Sequence, residues 1–125
     1  MSMPKILRKK NIILENVEKQ IQEYLRKERK KFDIPLDISL GTAFQQTVWK
    51  ALINIKYGSL ASYADIARNV KRPNAYRAVG NANNSNPISI IIPCHRVVGS
   101  NGNLSGYGGG IDKKKFLIDL EEQHD

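Results

Sequence analysis

Cys94 is the only cysteine in this chain of 125 residues, and that excludes two routes to a stable fold. One thiol cannot close an internal disulfide, and it cannot supply the several sulfurs of a structural zinc site. The fold must therefore rest on an apolar core. With 41% hydrophobic and 26% charged residues, the composition is that of an ordinary soluble globular protein. The length suits one domain with at most a small appendage. No apolar run approaches the ~18 residues of a membrane span. Met1-Ser2-Met3-Pro4-Lys5 has no hydrophobic signal region, so the expected compartment is reducing: cytoplasmic, or nuclear in a eukaryote.

The thiol stands in the tetrapeptide Pro93-Cys94-His95-Arg96, after the apolar run Ile88-Ser89-Ile90-Ile91-Ile92. The run reads as a short buried strand, and Pro93 as the turn that presents Cys94 at its mouth. An imidazole and a guanidinium beside a cysteine supply a potential base and positive charge, as a reactive thiolate needs. The local sequence also suits an inert core cysteine, the commonest fate of a free thiol. The formal charge of +8 is likewise compatible with a merely solvated basic surface or with an attractive field for phosphates.

Along the chain, Ile13, Val17, Ile21 and Leu25 recur every four residues, which makes one apolar stripe on a helix of about 17 residues. Phe32, Ile34, Leu36, Ile38 and Leu40 then alternate with polar residues and Pro35, the pattern of an edge strand or an irregular extended segment. Thr42-Ala43-Phe44-Gln45 is a capping box, and it predicts a helix with Phe44, Val48, Leu52 and Ile55 on its apolar face. Ser62-Tyr63-Ala64-Asp65 opens a second short helix through Ile66, Ala67 and Val70. Lys71-Arg72-Pro73 breaks it, and a third helix is expected from Asn74 to Ala82, carrying Arg77. The last two helices resemble a helix-turn-helix. Gly106-Tyr107-Gly108-Gly109-Gly110 lacks the spacing of a dinucleotide fingerprint and suits close backbone approach to something flat or buried. A final helix, Asp112 to Glu121, puts Phe116, Leu117 and Leu120 on one face.

Several separated blocks together carry a resemblance. Gly41-Thr42-Ala43-Phe44-Gln45-Gln46-Thr47-Val48-Trp49, Tyr63, Arg77-Ala78-Val79-Gly80, Asn86-Pro87, Ile91-Ile92-Pro93-Cys94-His95-Arg96-Val97 and Gly106-Tyr107 resemble the active-site domain of the O6-alkylguanine-DNA alkyltransferases, in the family's order and spacing. The likeness runs from residue 34 to 121. It implies an α+β fold, predominantly helical and winged-helix-like, with residues 1–40 a basic helix and linker and residues 41–125 the DNA-binding and active-site domain. It also implies DNA repair by direct reversal. The nucleotide is flipped from duplex DNA, and the alkyl group passes irreversibly to Cys94.

By the same resemblance His95 is the base acting through a water, Glu121 orients it, and Tyr63 crowds the 3′ phosphate and protonates the leaving guanine. Arg77 is the finger that fills the gap in the duplex, and Ala75 and Ala78 lie against the minor groove. Val97, Tyr107 and Gly108 line the base pocket. Asn86, Pro93 and Arg96 brace the active-site turn. The implied partner is double-stranded DNA bound by a monomer with little sequence dependence, and no cofactor is implied.

Two departures accompany the likeness. Most of the family's N-terminal domain has no counterpart, and its zinc site has no ligand set, since His95 and His124 are the only histidines. Ser89 stands where some members carry a proline that shapes access for bulky adducts. A non-catalytic alkyl-lesion binder, an alkyltransferase inactivated by loss of that domain, and a sequence-specific transcription factor are the alternatives.

Overall fold

The computed structural model describes residues 5–104, 107 and 110–122, with side chains from residue 14 onward. The chain divides into two compact units, residues 1–36 and 37–125.

In the first unit, α1 runs from Lys5 to Leu25, longer than the expected 17 residues. Its end is set by Lys27 in the left-handed region (φ 65°), with the Glu28 amide reaching back to the Glu23 carbonyl, a Schellman-type closure. The expected stripe is only partly buried: Val17 and Ile21 are half-buried and Leu25 is exposed, while Gln20 and Tyr24 are buried. The returning chain explains the shift. The Gln20 side chain donates to the Asp33 carbonyl (3.0 Å) and accepts from the Asp33 amide (2.9 Å), and the Tyr24 and Phe32 rings lie 5.5 Å apart. Residues 32–38 are therefore extended without being a strand. The alternation is real, with Phe32, Ile34, Leu36 and Ile38 half-buried between exposed neighbours, but Pro35 removes a ladder donor and a glutamine amide serves as the partner at Asp33.

The second unit holds α2 (Ala43–Ile53), β1 (Ala61–Ser62), α3 (Tyr63–Asn69), α4 (Tyr76–Asn84), a 3₁₀ turn (Cys94–Arg96), β2 (Val97–Val98) and α5 (Ile111–Glu122). The sequence-predicted capping box forms, with Thr42 and Gln45 opening α2, and the helix start expected at Ser62 is closed by a second capping box with Asp65. Val48, Trp49 and Leu52 bury the inner face of α2. The Trp49 indole donates to the Ala82 carbonyl at 2.8 Å and so ties α2 to α4. A Cβ on Gly41 would stand 2.3 Å from that ring, which explains a glycine there.

α3 and α4 form the expected helix pair. α3 closes through Lys71 (φ 63°), with the Arg72 amide bonded to the Ala67 carbonyl. α4 starts two residues later than expected because Pro73 and Asn74 form the turn. The Ile88–Ile92 run is not a strand. Ile90 sits at φ 76°, a conformation costly for a β-branched residue, and the Ile92 amide folds back onto the Ile88 carbonyl. Only an isolated bridge joins Ser89 to Ile92. On α5, Leu117 and Leu120 are buried as expected, but Phe116 is 57% exposed. The buried face is completed instead by Lys114, Ile118 and Glu121. No described helix is long and apolar enough to cross a membrane.

Candidate active site

Three short-range devices place the thiol. Pro93 ends the tight 88–92 turn, and its carbonyl accepts from the Arg96 amide (3.0 Å) to form the 3₁₀ turn. β2 then pairs in parallel with β1, Ala61 opposite Val97 and Ser62 opposite Val98. Because Tyr63 follows Ser62 directly, this ladder ties the start of α3 to the segment just after Cys94. The Asn86 side chain donates to the Ile92 carbonyl (2.7 Å) and accepts from the Ile88 amide (2.9 Å), joining the end of α4 to the thiol turn.

Cys94, His95 and Arg96 are all buried. His95 Nε2 lies 2.6 Å from Glu121 Oε2, so α5 delivers a carboxylate to the imidazole. In the neutral ring this pairing puts the proton on Nε2 and leaves Nδ1 as the lone-pair nitrogen. Arg96 does not serve the thiol with positive charge. Its Nε donates to Glu121 Oε1 (2.8 Å), its Nη2 to Oε2 (3.1 Å) and its Nη1 to the Ile55 carbonyl (2.7 Å). The Tyr57 ring lies 5.7 Å from its Cζ, and the Gly58 amide donates to Glu121 Oε1 at 3.3 Å. The loop after α2 thus forms the back wall of a fully buried imidazole–carboxylate–guanidinium group. A carboxylate so enclosed is not the solvated helix-end glutamate that its neighbour Glu122 is.

The positive charge facing the thiol comes from Lys114, a residue sequence reasoning missed. It is fully buried, one helical face away from solvent on α5, seven positions before Glu121, with Nζ 5.9 Å from the Tyr63 ring centroid. Burial pushes the Lys114 ammonium down from its ordinary value, while the charge of Cys94 opposes that shift. Burial pushes the Cys94 thiol up, against hydrogen bonds from Asn86 and Ser89 and the charge of Lys114. The resting group is therefore a thiol, and it must lose its proton to react. Tyr107 is half-buried, its phenol pushed up by burial and by the charge of Cys94 and pulled back by a hydrogen bond with Ser89. Gly108, expected in the pocket wall, lies outside the described residues. Val97 is fully buried.

At the surface, Tyr63 borders a cleft of about 560 Å³ with Ala64, Tyr76, Gly99, Ser100, Asn101 and Asn103. Gly80 of α4 faces the Tyr63 ring, and a Cβ there would stand 3.8 Å from it. Arg77 and Ala78 are exposed, Ala75 is half-buried at the start of α4, and Tyr76 is 50% exposed. Arg77 makes no ion pair among the described residues. One side of α4 thus offers a free cation and small side chains outward. Its far end holds the thiol turn through Asn86 and through Asn83, whose Nδ2 donates to the Cys94 carbonyl (3.4 Å).

A buried thiol next to an oriented imidazole, mounted behind an exposed helix pair, is an arrangement suited to a cysteine nucleophile. Residues 43–123 match the family profile for the 6-O-methylguanine DNA methyltransferase DNA binding domain. The chain is 51% identical over 108 residues to a methylated-DNA–protein-cysteine methyltransferase of Methanosarcina mazei, covering 86% of this chain and 68% of that protein. It is 53% identical over 103 residues to one of Mycobacterium bovis, covering 82% and 62%. The crystal structure of Mycobacterium tuberculosis OGT in complex with DNA superposes with a TM-score of 0.85 at 50% identity, over 88% of this chain and 68% of that one. The chain belongs to the 6-O-methylguanine DNA methyltransferase family. It spans about two thirds of the length of these relatives or slightly less.

Proposed function

We propose that this protein repairs DNA by taking the alkyl group of O6-alkylguanine onto Cys94, once per molecule. The observation that carries the reading is the Cys94–His95–Glu121 arrangement, with the imidazole held at 2.6 Å from a carboxylate that two arginine nitrogens also fix. Proton loss from the thiol through a water to His95 generates the nucleophile, and Glu121 stabilises the imidazolium that forms. The sulfur attacks the alkyl carbon in line. The S–C bond forms as the C–O6 bond breaks, and the electron pair leaves with the guanine, which takes a proton from the Tyr63 hydroxyl. Lys114 supports the transient thiolate. The carbon–sulfur product has no route back, so the protein is consumed.

Residues 41–125 act as the DNA-binding and active-site domain, and residues 1–40 as a basic helix and linker. Minor-groove contact falls to Arg77, Ala75 and Ala78, since a small-faced helix with one projecting cation suits a narrow groove and a nucleotide turned out of it. Val97, Tyr107 and Gly108 wall the base, while Asn86, Pro93 and Arg96 hold the turn. The protein works as a monomer in the compartment that holds the DNA, the cytoplasm in a prokaryote. Double-stranded DNA bearing O6-methylguanine, mixed with excess protein, should transfer one methyl per protein, and peptide mapping should place it on Cys94. Lesion binding without any gain in protein mass would instead assign the chain to the lesion-binding proteins.

A further inference from the structure

Asn83 lies in the last turn of α4, 1% exposed, and nothing in the reaction above uses its side-chain oxygen. Its Nδ2 donates to the Cys94 carbonyl. That contact fixes the amide's orientation, because the flipped form would set two carbonyl oxygens against each other. Oδ1 is then buried and accepts no hydrogen bond from the described residues. A well-packed interior avoids such an oxygen, and an apolar side chain of the same size would remove the penalty. The amide sits against the peptide that joins Cys94 to His95, where the proton must move.

The tautomer of His95 supplies the rest. With Nε2–H given to Glu121, Nδ1 accepts. A water that gives one hydrogen to Nδ1 and the other to Asn83 Oδ1 has spent both donors. Its oxygen lone pair can then face only a donor, and the Cys94 S–H is a donor at that turn. Buried waters of this kind need two to four polar partners, and these three groups provide them.

We propose that Asn83 is a positioning residue of the alkyl transfer, and that its Oδ1 holds the relay water in the one orientation that accepts the thiol proton. The step balances. The Cys94 proton passes to the water oxygen while the water's other hydrogen passes to Nδ1, leaving thiolate, water and an imidazolium paired with Glu121. The inference rests on Cys94 as the alkyl acceptor. Among the described residues, the other titratable or charged groups around the turn are Lys114 and Glu121 on α5, Tyr57 after α2, Tyr63 on α3, Arg96 within the turn and Tyr107 after it.

The test uses the full chain and its Asn83→Leu and Asn83→Met variants, with two readouts across pH: single-turnover methyl transfer from O6-methylguanine duplex, and Cys94 labelling by iodoacetamide. Loss of the relay should slow both about tenfold near neutrality, equivalent to a thiol profile moved up by about one pH unit. The rates should converge with the parent in alkali, where no relay is needed. A merely structural role would lower the rate equally at every pH, and that result, or superposed profiles, overturns the proposal. In a high-resolution crystal structure of the unaltered protein, a water should lie within about 3 Å of both Asn83 Oδ1 and His95 Nδ1. A dry, well-ordered site would also overturn it, whatever the variants do. If the parent transfers no methyl at all but the iodoacetamide profiles still separate, the relay stands and the repair reading fails.

Discussion

Replacing Glu121 tests the buried centre most directly, because four donors converge on its two oxygens. Oε1 accepts from Arg96 Nε and the Gly58 amide, and Oε2 from Arg96 Nη2 and His95 Nε2. A glutamine offers one oxygen, so its NH₂ must face one of those pairs of donors; Glu121→Gln is not a gentle change here. Glu121→Leu leaves the Arg96 guanidinium buried with the Ile55 carbonyl and the Tyr57 ring as its remaining partners. Removing one partner of a buried ion pair costs about 3–5 kcal/mol, a large share of the ~5–15 kcal/mol that holds a domain folded. For a chain of this size that corresponds to a melting temperature lower by roughly 10–30 °C.

The double variant Glu121→Leu/Arg96→Met removes both charges. It should recover most of that loss, since apolar replacement of a buried pair is often neutral or better. It should not recover methyl transfer, because His95 still lacks the carboxylate that orients it. Calorimetry and single-turnover transfer on the three proteins decide the matter. A Glu121→Leu protein melting within about 3 °C of the parent would refute the energetic argument. A double variant repairing at the parental rate would refute the role given to the carboxylate.

Three further outcomes are expected. Cys94→Ser should bind lesion DNA like the parent yet transfer no methyl, since a hydroxyl is a far weaker nucleophile at neutral pH; surviving transfer, read by mass spectrometry, would remove Cys94 as acceptor. Arg77→Ala should slow repair in duplex more than reaction with free O6-methylguanine base, because unstacking costs a few kcal/mol only in the duplex; equal slowing would make Arg77 structural. Iodoacetamide labelling of Cys94 should still be accelerating above pH about 8.5, the value of a free thiol, because burial raises this one. The same shift carries a stability consequence of known sign. The native state holds the proton more tightly than the unfolded chain, so the contribution is complete below the unfolded value and fades as pH rises through the folded one. A labelling profile that levels off below pH 7 contradicts both statements.

Local chemistry made the helices legible and left the irregular turns obscure. The capping box at Thr42 and the helix start at Ser62 need only residues three apart, and both helices open there as read. The 88–92 run failed for the opposite reason. Five residues rich in isoleucine are a strand by propensity, but Asn86 holds the chain at Ile88 and Ile92, and tertiary placement of the thiol overrides the preference, forcing Ile90 to positive φ. Residues 32–38 show the milder case, in which the alternation survives while the ladder is replaced by Gln20.

The site divides along the same line. Cys94 and His95 are adjacent in sequence and so visible together, whereas the Asn83, Glu121 and Ile55 groups that hold the turn come from 11 to 41 positions away. Lys114 stands between two other lysines, Lys113 and Lys115, and nothing local marks which of the three points inward. The marker was helical register: Lys114, Leu117, Ile118 and Glu121 fall at i, i+3, i+4 and i+7, the spacing of a buried face. Phe116 misled that assignment, since one exposed aromatic drew the apolar face a residue away from its true line. Two charged residues at the ends of an otherwise aliphatic stripe are costly to bury. Each has a facing group, the Lys114 ammonium the sulfur of Cys94 and the Glu121 carboxylate an imidazole and a guanidinium. A register that places charges inward is therefore itself a signal of chemistry, available from the sequence once the stripe is drawn by position rather than by hydrophobicity.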